Sequence, residues 1–428
     1  MRVLVLGAAV SGKAAGRLLS SLGHTVVVYD DDPTAAGGVP EAAEAHGGSW
    51  DAALLDGIDL VVASPGVPEH ARPIQDSLAA GLTVWSEIEL GARHVGVPIA
   101  AVTGTNGKTT VTALTAAMLR ASGLRAAAVG NIGDPLCDAV GGDWDVLAVE
   151  VSSLQLRFTE AFHPRAAVLL NVAPDHLDWH RTFDAYLAAK ARIWERQTAD
   201  EVLAFDADDP GAVAAVAGAP SRLVPVSGAR RPPGGCGPEG GVLEAGGARI
   251  PIADLARDDA VYLVDVAAAA AAAAGVGATP AGIAAAAASF RPAPHRRERV
   301  AVVDGVAYVD DSKATNPHAA LAAIRAFPSV VLIAGGRNKD LDVTVLAGEP
   351  NVRFVVGIGE SGPEIVERAP AGRMASGMEE AVALARSAAR PGDTVLLAPG
   401  CASFDMYGSY GERGDHFAAI VRDLEEAG

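Results

Sequence analysis

Thr103-Gly104-Thr105-Asn106-Gly107-Lys108-Thr109-Thr110 decides the fold in the middle of this chain. It lies between the apolar run 99–102 and a helical pattern over 110–122, so a strand, a glycine loop and a helix are predicted in that order. Small residues let consecutive backbone N–H groups turn toward a phosphate, and the helix N-terminus adds positive potential. Lys108 can neutralise phosphate charge, and the Thr109 hydroxyl suits Mg²⁺. The stretch therefore predicts a nucleotide site of the P-loop type.

On both sides of this loop, short apolar runs alternate with helical patterns, including one over 314–326. That rhythm is typical of parallel sheets covered by helices. Gly96-Val97-Pro98 and Phe290-Arg291-Pro292 interrupt it. The segment 227–241, rich in Gly, Pro and Arg, is predicted to be a surface loop. We predict an α/β fold with three consecutive α/β domains: Rossmann-like at 1–97, P-loop ATPase-like at 98–292 and Rossmann-like at 293–428.

The composition excludes several classes of protein. With 34 Lys and Arg against 52 Asp and Glu, the net charge is −18, so no broad basic surface exists for nucleic acid or anionic lipid. The three cysteines, at 137, 236 and 401, lack CxxC spacing, which argues against a disulfide framework or a zinc site. No stretch has the length of a signal or membrane segment. We expect a cytoplasmic protein without nucleic-acid or membrane partners.

Three more candidate residues follow in the predicted middle domain. In Val149-Glu150-Val151-Ser152-Ser153-Leu154-Gln155-Leu156, the Glu150 carboxylate stands at the end of an apolar strand, where it can hold Mg²⁺ directly or through water. Asn171-Val172-Ala173-Pro174-Asp175-His176-Leu177-Asp178 offers His176 as a metal ligand or a structural histidine. Lys190 lies on an amphipathic helical pattern, and its spacing assigns it no role.

Taken together, these segments resemble the central domain of the Mur ligase family. The runs GTNGKTT, EVSSLQL and NVAPDHLDWH, with Lys190 downstream, stand in the family's order. The resemblance implies an ATP-dependent amide-bond ligase, with ATP bound by residues 104–110 and two Mg²⁺ ions. It implies that Thr109 and Glu150 serve one ion, and that His176 and a carbamylated Lys190 serve the other. The implied catalytic residues are Lys108, Glu150, His176 and Lys190. Asn131 is the implied muramoyl contact, and Ser153 and Gln155 are further implied substrate contacts.

Polar loops also follow the strands of the predicted third domain. They are 310–317 (DDSKATNP), 335–340 (GGRNKD) and 398–405 (APGCASFD), with 411–415 (GERGD) downstream. At the carboxyl ends of parallel strands, such loops line one crevice. They are similar to the D-glutamate-adding branch of the family, which implies D-glutamate as a substrate. The implied glutamate contacts are Thr315, Lys339, Ser403, Phe404 and Tyr410, and the implied phosphate-facing residues are Arg296, Asp311 and Lys313.

The first loop of the chain, Gly7-Ala8-Ala9-Val10-Ser11-Gly12, follows a strand. Ala9 stands where a dinucleotide fingerprint needs its second glycine, so a nicotinamide site is weakly supported. In the resembled family this loop cradles a UDP group, with Asp30 or Asp31 near the uracil. The resemblance implies a monomer that acts on UDP-N-acetylmuramoyl-L-alanine. The residues implied to hold this substrate are Val10, Ser11, Gly12, Asp30, Ser64, Pro65 and Gly66, together with Asn131, Ser153 and Gln155.

One segment departs from the family pattern. Before the alanine-rich helix the family carries His-Asn-x-x-Asn, whose asparagine approaches adenine, whereas 258–265 here reads DDAVYLVD. A sibling ligase that adds another amino acid or L-glutamate stays open as an alternative, as does a catalytically weakened nucleotide-binding homologue. A folylpolyglutamate-type ligase would lack the N-terminal UDP-binding domain. The intact phosphate loop, Glu150, His176 and Lys190 favour a working ligase that phosphorylates a carboxylate before the amine attacks.

Overall fold

The computed structural model describes residues 1–427, with side chains described through Glu426. It divides into two compact units that are each discontinuous in sequence. Unit 1 comprises Met1–Val172 and Trp179–Phe290, and unit 2 comprises Ala173–Asp178 and the chain from Arg291 onward. The α/β fold with parallel sheets agrees with the prediction. No helix within residues 1–427 has the length and apolar character needed to cross a bilayer.

Unit 1 begins with a five-stranded parallel sheet in the order β3-β2-β1-β4-β5. Its central strands are continuous apolar runs because helices cover both faces of the sheet. Their carboxyl ends lie at one edge and carry the first polar loops. The elements are β1 (Arg2–Leu6), α1 (Val10–Ser21), β2 (Thr25–Asp30), α2 (Pro33–Ala36), β3 (Glu44–Gly47), β4 (Leu60–Ala63), α3 (Arg72–Ala79), β5 (Val84–Ser86) and α4 (Glu87–His94).

A six-stranded parallel sheet follows in unit 1, in the order β11-β10-β9-β6-β8-β7. The central strand β6 leads directly into the glycine loop that the sequence singled out. The elements are β6 (Ile99–Thr103), α5 (Lys108–Ala121), β7 (Ala126–Gly130), α6 (Leu136–Ala139), β8 (Val146–Glu150), α7 (Ser153–Arg157), β9 (Ala166–Leu169), α8 (Leu177–His180), α9 (Phe183–Ala191), β10 (Val202–Asp206), α10 (Pro210–Ala215) and β11 (Arg222–Val226).

A small antiparallel sheet and two helices complete unit 1. They are β12 (Gly237–Glu239), β13 (Val242–Ala245), β14 (Ala248–Pro251), α11 (Ala260–Gly275) and α12 (Pro280–Ser289). The prediction of a surface loop over 227–241 is wrong at its end, because β12 pairs with β13 there. Alanine side chains let α11 approach its neighbours closely, and most of this helix is buried in the larger core of the unit.

Unit 2 contains a six-stranded sheet in the order β15-β16-β20-β17-β18-β19. Only β15 is antiparallel, through its pairing with β16. Two hydrophobic clusters cover the two faces of the sheet. The elements are β15 (Glu298–Val303), β16 (Val306–Asp310), α13 (Pro317–Ile324), β17 (Val330–Gly335), β18 (Val352–Ile358), α14 (Gly362–Arg368), β19 (Gly372–Met374), α15 (Met378–Ala388), β20 (Thr394–Leu397) and α16 (Tyr410–Ala427).

Candidate active site

The glycine loop joins β6 to α5 at the carboxyl edge of the second sheet. Gly107, the residue before α5, has φ +87°, a left-handed conformation that favours glycine. A Cβ on Gly107 would stand 2.8 Å from Asp265 Oδ1, so a larger residue would meet this carboxylate. Asn171, just beyond β9, holds the loop from the other side: its Oδ1 accepts the Asn106 N–H and its carbonyl accepts the Thr105 N–H, both at 2.8 Å. The loop is therefore preformed by its neighbours.

Two lysines converge on one carbonyl of this loop. Lys108 Nζ donates to the carbonyl oxygens of Gly104 and Thr105, each at 2.9 Å. Lys190 Nζ, from α9, donates to the same Gly104 oxygen at 2.8 Å, and its side chain is only 1% exposed. Two ammonium groups on one oxygen concentrate positive charge at the loop, although the chain as a whole carries −18. Such a local charge suits an anion such as a triphosphate.

Tyr186 connects α9 to the same loop, and the sequence had assigned it no role. Its hydroxyl lies 2.9 Å from Thr105 Oγ1, within hydrogen-bonding distance, and its ring lies 4.6 Å from Lys190 Nζ. The residue is almost fully buried. Since a tyrosine on an amphipathic helix usually indicates core packing, only the fold reveals that its polar end meets the phosphate loop. Tyr186 therefore holds Lys190 and Thr105 in register.

Glu150 ends β8 beside the phosphate loop, as predicted, and is 2% exposed. Its Oε1 accepts a hydrogen bond from Asn131 Nδ2 at 2.8 Å, whereas its Oε2 is buried without a hydrogen-bond partner. A buried carboxylate oxygen without a donor is costly unless a cation meets it, so Glu150 fits a Mg²⁺ ligand. Among the described residues, no three His, Cys, Asp or Glu side chains form a group that could hold a metal ion.

Ser153 and Gln155, which follow Glu150 in the sequence, both have polar contacts close to the start of α7. Gln155 Oε1 accepts the Ser152 N–H at 3.0 Å and completes a capping box at the start of α7. Ser153 Oγ lies 2.9 Å from His180 Nε2. The predicted substrate roles of Ser153 and Gln155 stay predictions, and both side chains are buried.

In the first sheet, the predicted UDP-binding residues gather around the first loop. Ser64 Oγ donates to the Gly7 carbonyl at 3.0 Å. A Cβ on Gly12 would stand 1.8 Å from that same carbonyl oxygen, so the loop needs glycine at this position. Asp30 Oδ2 accepts the Ala8 N–H at 2.7 Å. Asp30 thus shapes the loop, which leaves contact with the uracil as a prediction for it and for Asp31. Pro65 and Gly66 follow Ser64, and Val10 and Ser11 begin α1.

In unit 2, the short segment that contains Asp175 and His176 contacts two of the predicted polar loops. Asp175 accepts a hydrogen bond from Asn316 Nδ2 at 3.1 Å and lies 3.5 Å from Lys339 Nζ. Burial favours the neutral acid, but the charges of His176 and Lys339 outweigh it and lower the pKa of Asp175. Asp175 is therefore an anion that holds Lys339 in place, a role that the sequence did not indicate. His176 has φ +52° and a 40% exposed side chain.

The other predicted residues of unit 2 lie on the loops after β16 and β20. Asp311 and Ser403 are buried, whereas Phe404 is 66% exposed and Tyr410 is 37% exposed. Lys313 Nζ lies 5.1 Å from the centre of the Tyr410 ring. Arg296 and Thr315 are partly exposed. Unit 2 thus gathers cations, hydroxyl groups and an exposed aromatic ring, which is the chemistry that an amino acid with two carboxylates requires.

The segment in which the family's adenine pattern is missing begins α11. Asp259 caps this helix by accepting the Tyr262 N–H at 3.2 Å. Asp265, 8% exposed, is the member of the segment that reaches the phosphate loop, beside Gly107. The segment therefore contributes a carboxylate next to the glycine loop, where the resembled family carries an asparagine.

Comparison with known proteins agrees with this arrangement of sheets and loops. Three family models match: "Mur ligase MurD-like, N-terminal domain" over 1–86, "Mur ligase middle domain" over 102–229 and "Mur ligase, glutamate ligase domain" over 295–401. The UDP-N-acetylmuramoylalanine–D-glutamate ligase of Frankia casuarinae is 45% identical, with 99% of this chain and 94% of that protein covered. The protein of the same name from Pelotomaculum thermopropionicum is 40% identical, with 99% and 98% covered.

Among solved structures, the chain is similar to a MurF ligase from Thermotoga maritima in complex with ADP. The TM-score is 0.60 at 18% identity, with 94% of this chain and 96% of that chain covered. At this level of identity the likeness concerns the fold, and it extends over nearly the whole length of both chains.

Proposed function

The chain belongs to the Mur ligase family, and on that premise we propose that it is an ATP-dependent ligase that joins D-glutamate to UDP-N-acetylmuramoyl-L-alanine in peptidoglycan precursor synthesis. Relatives with that name match nearly the whole chain, and the matched N-terminal model is the MurD-like one. The observation that carries the proposal is the convergence of Lys108 and Lys190 on the Gly104 carbonyl beside the buried carboxylate of Glu150.

The chemistry begins with a carboxylate, which is a poor acyl donor because an oxide would have to leave. Transfer of a phosphoryl group from ATP converts that oxygen into part of a phosphate leaving group. The amine of D-glutamate then attacks the carbonyl carbon, the tetrahedral adduct collapses, and the C–O bond to phosphate breaks to leave the amide, phosphate and ADP. The proton that the attacking amine loses in this step passes to solvent.

The phosphate loop supports the first transfer. Lys108 stands where it neutralises charge on the transferring phosphoryl group, and the N-terminus of α5 contributes backbone N–H groups. When bound, Mg²⁺ would neutralise phosphate oxygens, and Thr109 and Glu150 are the residues that would hold it. The unpartnered Oε2 of Glu150 supports this assignment.

We further propose that Lys190 acts as its carbamate and serves a second Mg²⁺. The deep burial of Lys190 under the phosphate loop supports a role beyond that of a solvated surface cation. Addition of CO₂ to the neutral Lys190 amine, with loss of one proton, would give a carbamate anion whose nitrogen keeps one N–H for the Gly104 carbonyl. The side chain would then be available to a cation near the loop.

Substrate binding divides between the two units. We assign the UDP group to the loop around Gly7, Gly12 and Ser64, which unit 1 holds by close contacts. We assign D-glutamate to unit 2, where Lys339 and the hydroxyl groups of Thr315 and Ser403 offer partners for its carboxylates. Adenine contacts must involve groups other than the family's asparagine, and Asp265 is the nearest polar candidate in that segment. A monomer located in the cytoplasm completes the proposal.

Phosphate release with a panel of acceptors tests the proposal. Purified protein with Mg²⁺ and ATP should release phosphate only when UDP-N-acetylmuramoyl-L-alanine and D-glutamate are both present. Turnover with L-glutamate, or with a diamino acid and a longer UDP-muramoyl peptide, would identify a sibling ligase instead. Binding of nucleotide without turnover on any acceptor would identify the weakened homologue, and failure to bind any nucleotide would overturn the family assignment of the loop.

A further inference from the structure

The largest fully buried side chain in the described part of the molecule is an arginine, Arg413, in the first turns of α16. It is 1% exposed, although the sequence pattern GERGD placed it at a ligand crevice. Its guanidinium points inward: Nε donates to Ser312 Oγ at 2.9 Å and Nη2 to the Ser312 carbonyl at 2.8 Å. Nη2 and Nη1 also donate to the carbonyls of Cys401 and Ala402, at 3.2 and 3.4 Å.

These acceptors are hydroxyl and carbonyl oxygens, so hydrogen bonds to neutral groups hold a buried cation. Burial lowers the pKa of Arg413 to about 10, which leaves the guanidinium protonated at neutral pH. A buried charge is costly unless several good hydrogen bonds compensate it, and an apolar side chain of similar size often serves stability equally well. The stability of the fold therefore does not by itself account for an arginine at this position.

The contacts of Arg413 link two loops that carry the predicted ligand-binding residues of unit 2. Ser312 lies between Asp311 and Lys313, and Cys401-Ala402 directly precedes Ser403. The two loops leave the neighbouring parallel strands β16 and β20 at the same edge of the sheet. Ser312 Oγ also donates to the Tyr410 carbonyl at 2.8 Å. One side chain thus ties the phosphate-facing loop to the loop assigned to the amino acid.

Gly414, the residue after Arg413, packs against His295, which directly precedes Arg296. Gly414 packs so closely that a Cβ on it would stand 2.2 Å from His295 Nδ1 and 2.7 Å from Asp310 Oδ2. His295 Nδ1 lies 2.7 Å from Asp310 Oδ2, and Asp310 Oδ1 accepts the Ser312 N–H at 2.8 Å. The network around the first turns of α16 therefore reaches the residue immediately before Arg296.

We propose that Arg413 is a positioning residue that sets the separation between the phosphate-facing groups at 311–313 and the amino-acid-facing groups at 403–404. The proposal rests on the proposed function, because the roles of those groups come from it. Arginine suits the task because its planar fork reaches a hydroxyl and several carbonyls at once, which a lysine ammonium on a flexible stem does not reproduce. A displacement of about 1 Å at such a site costs roughly 100-fold in rate.

Arg413→Met separates positioning from packing, since it keeps an extended apolar side chain and removes every donor. We expect this variant to fold with wild-type circular dichroism and to lose about 100-fold in kcat/KM for D-glutamate. The KM for UDP-N-acetylmuramoyl-L-alanine should stay within about twofold of wild type, because its binding loop around Gly12 and Ser64 belongs to unit 1. Wild-type kinetics for Arg413→Met would overturn the proposal.

Arg413→Ala adds a rescue test, because it leaves a buried space that matches a guanidinium ion. Guanidinium chloride at sub-denaturing concentration should restore at least about tenfold of the lost kcat/KM, whereas equal concentrations of sodium chloride or urea should not. Arg325→Ala is the matched control: this arginine of the same unit is exposed and pairs with Glu349 at 2.7 Å. It should keep wild-type activity and show no guanidinium response. If Arg413→Ala responds to urea and salt as it does to guanidinium, the positioning role is wrong.

Amide hydrogen exchange provides a readout that does not depend on activity. Residues 311–316 and 400–404 should exchange faster in Arg413→Met than in the wild type, and guanidinium should slow the same amides in Arg413→Ala. Unchanged exchange at both loops would overturn the proposal even if the wild-type protein proved inactive on every acceptor. An inactive wild type with altered exchange would instead count against the proposed function alone.

Discussion

The Gly104 carbonyl shows how much chemistry can depend on one backbone atom. It accepts hydrogen bonds from Lys108 and Lys190, whose sequence positions are far apart. The sequence predicted Lys108 from its place in the loop, since the loop's residue types and order suffice to indicate a phosphate site. It could not predict that Lys190 meets the same oxygen, because that contact depends on how α9 packs against α7 and α10. Only the family resemblance drew attention to Lys190.

Lys108→Ala should lower kcat by about 100- to 1,000-fold or more, because a positioned cation on the transferring phosphoryl group is lost. The fold should persist, since Asn171 and the glycines also hold the loop. Steady-state phosphate release measures the loss of kcat, and thermal unfolding measures whether the fold persists. Arg120→Ala, at the exposed far end of α5, serves as the control. An active Lys108→Ala enzyme would contradict the assigned role.

Lys190→Ala should reduce activity severely and leave a buried space beside the phosphate loop. Formate or acetate should restore part of the activity, because a short carboxylate can take the place of the carbamate oxygens. Chloride at equal ionic strength should have no effect. The measurement is turnover across a carboxylate titration, and full activity in the unsupplemented variant would remove the carbamate hypothesis.

Glu87 on α4 offers a test of buried charge in unit 1. Desolvation raises its pKa to about 7, one oxygen accepts the Cys137 N–H at 2.6 Å, and the other has no partner. Because the folded-state pKa lies above the unfolded value, the native state keeps the proton longer, so stability falls as pH rises from about 4.5 to 7. Glu87→Gln should remove this loss, so its free energy of unfolding at pH 8 should exceed that of the wild type by up to about 3 kcal/mol.

Urea unfolding of Glu87→Gln at pH 5 and pH 8 measures that gain. Glu195→Gln, an exposed residue of unit 1 whose partner is Arg192, is the control and should change little. Some pH dependence should remain in both variants, because burial also raises the pKa of Asp206 to about 7. A Glu87→Gln variant that is less stable than the wild type at pH 8 would contradict the assignment.

At the scale of helices and strands, patterns of apolar residues predicted most of the buried strands and fewer of the boundaries. Strand β6 begins at residue 99, as the apolar run 99–102 predicted, because Ile99–Thr103 is a continuous buried run. Strand β3, with its exposed Glu44–Gly47, gives no such pattern and was missed. Helix α13 begins at Pro317 and not at the predicted residue 314, because Asn316 caps it and accepts the Ala319 N–H at 2.9 Å. The first and last residues of a helix or strand depend on single hydrogen bonds, which the periodicity of apolar residues does not reveal.

Helix α9 yields a prediction about Tyr186. Tyr186→Phe keeps the ring near Lys190 and removes the hydroxyl that meets Thr105. The loss of one buried hydrogen bond, worth about 1 kcal/mol, should lower kcat by roughly fivefold. Tyr308→Phe is the control, since Tyr308 is equally buried in unit 2. Equal kinetics in the wild type and Tyr186→Phe would show that the hydroxyl does not position the loop.

At the scale of the molecule, the sequence predicted successive α/β domains, and the observed sheets agree with that prediction. The two predicted domain boundaries, after residues 97 and 292, stay predictions; the structure divides the chain into two compact units. The first two sheets share unit 1, where Glu89 accepts backbone N–H groups of residues 160–162 and Arg17 pairs with Asp138 at 2.7 Å. The pattern of apolar residues in the sequence does not predict polar contacts between sheets such as those of Glu89 and Arg17. The acidic composition argues against nucleic-acid and anionic-lipid partners, but it could not indicate this grouping.

The three buried cysteines report on the two units separately. Cys137 and Cys236 lie in unit 1 and Cys401 lies in unit 2. All three should resist thiol reagents in the native protein and become reactive as each unit unfolds in urea. ATP with Mg²⁺ should shift the midpoint for Cys236 more than that for Cys401, because the phosphate loop belongs to unit 1. Labelling followed by peptide mass spectrometry measures this, and equal shifts would contradict separate unfolding.

The six residues Ala173–Asp178 belong to unit 2 although the chain on both sides of them belongs to unit 1. A gene cut once at residue 290 would therefore not yield two complete halves. The downstream fragment would keep its sheet but would lose Asp175, the carboxylate that contacts Asn316 and Lys339. Anyone who wishes to express the half to which we assign D-glutamate must graft this hexapeptide back or expect Lys339 to change its affinity for acidic ligands. Evolution by simple exchange of terminal halves between related enzymes faces the same obstacle.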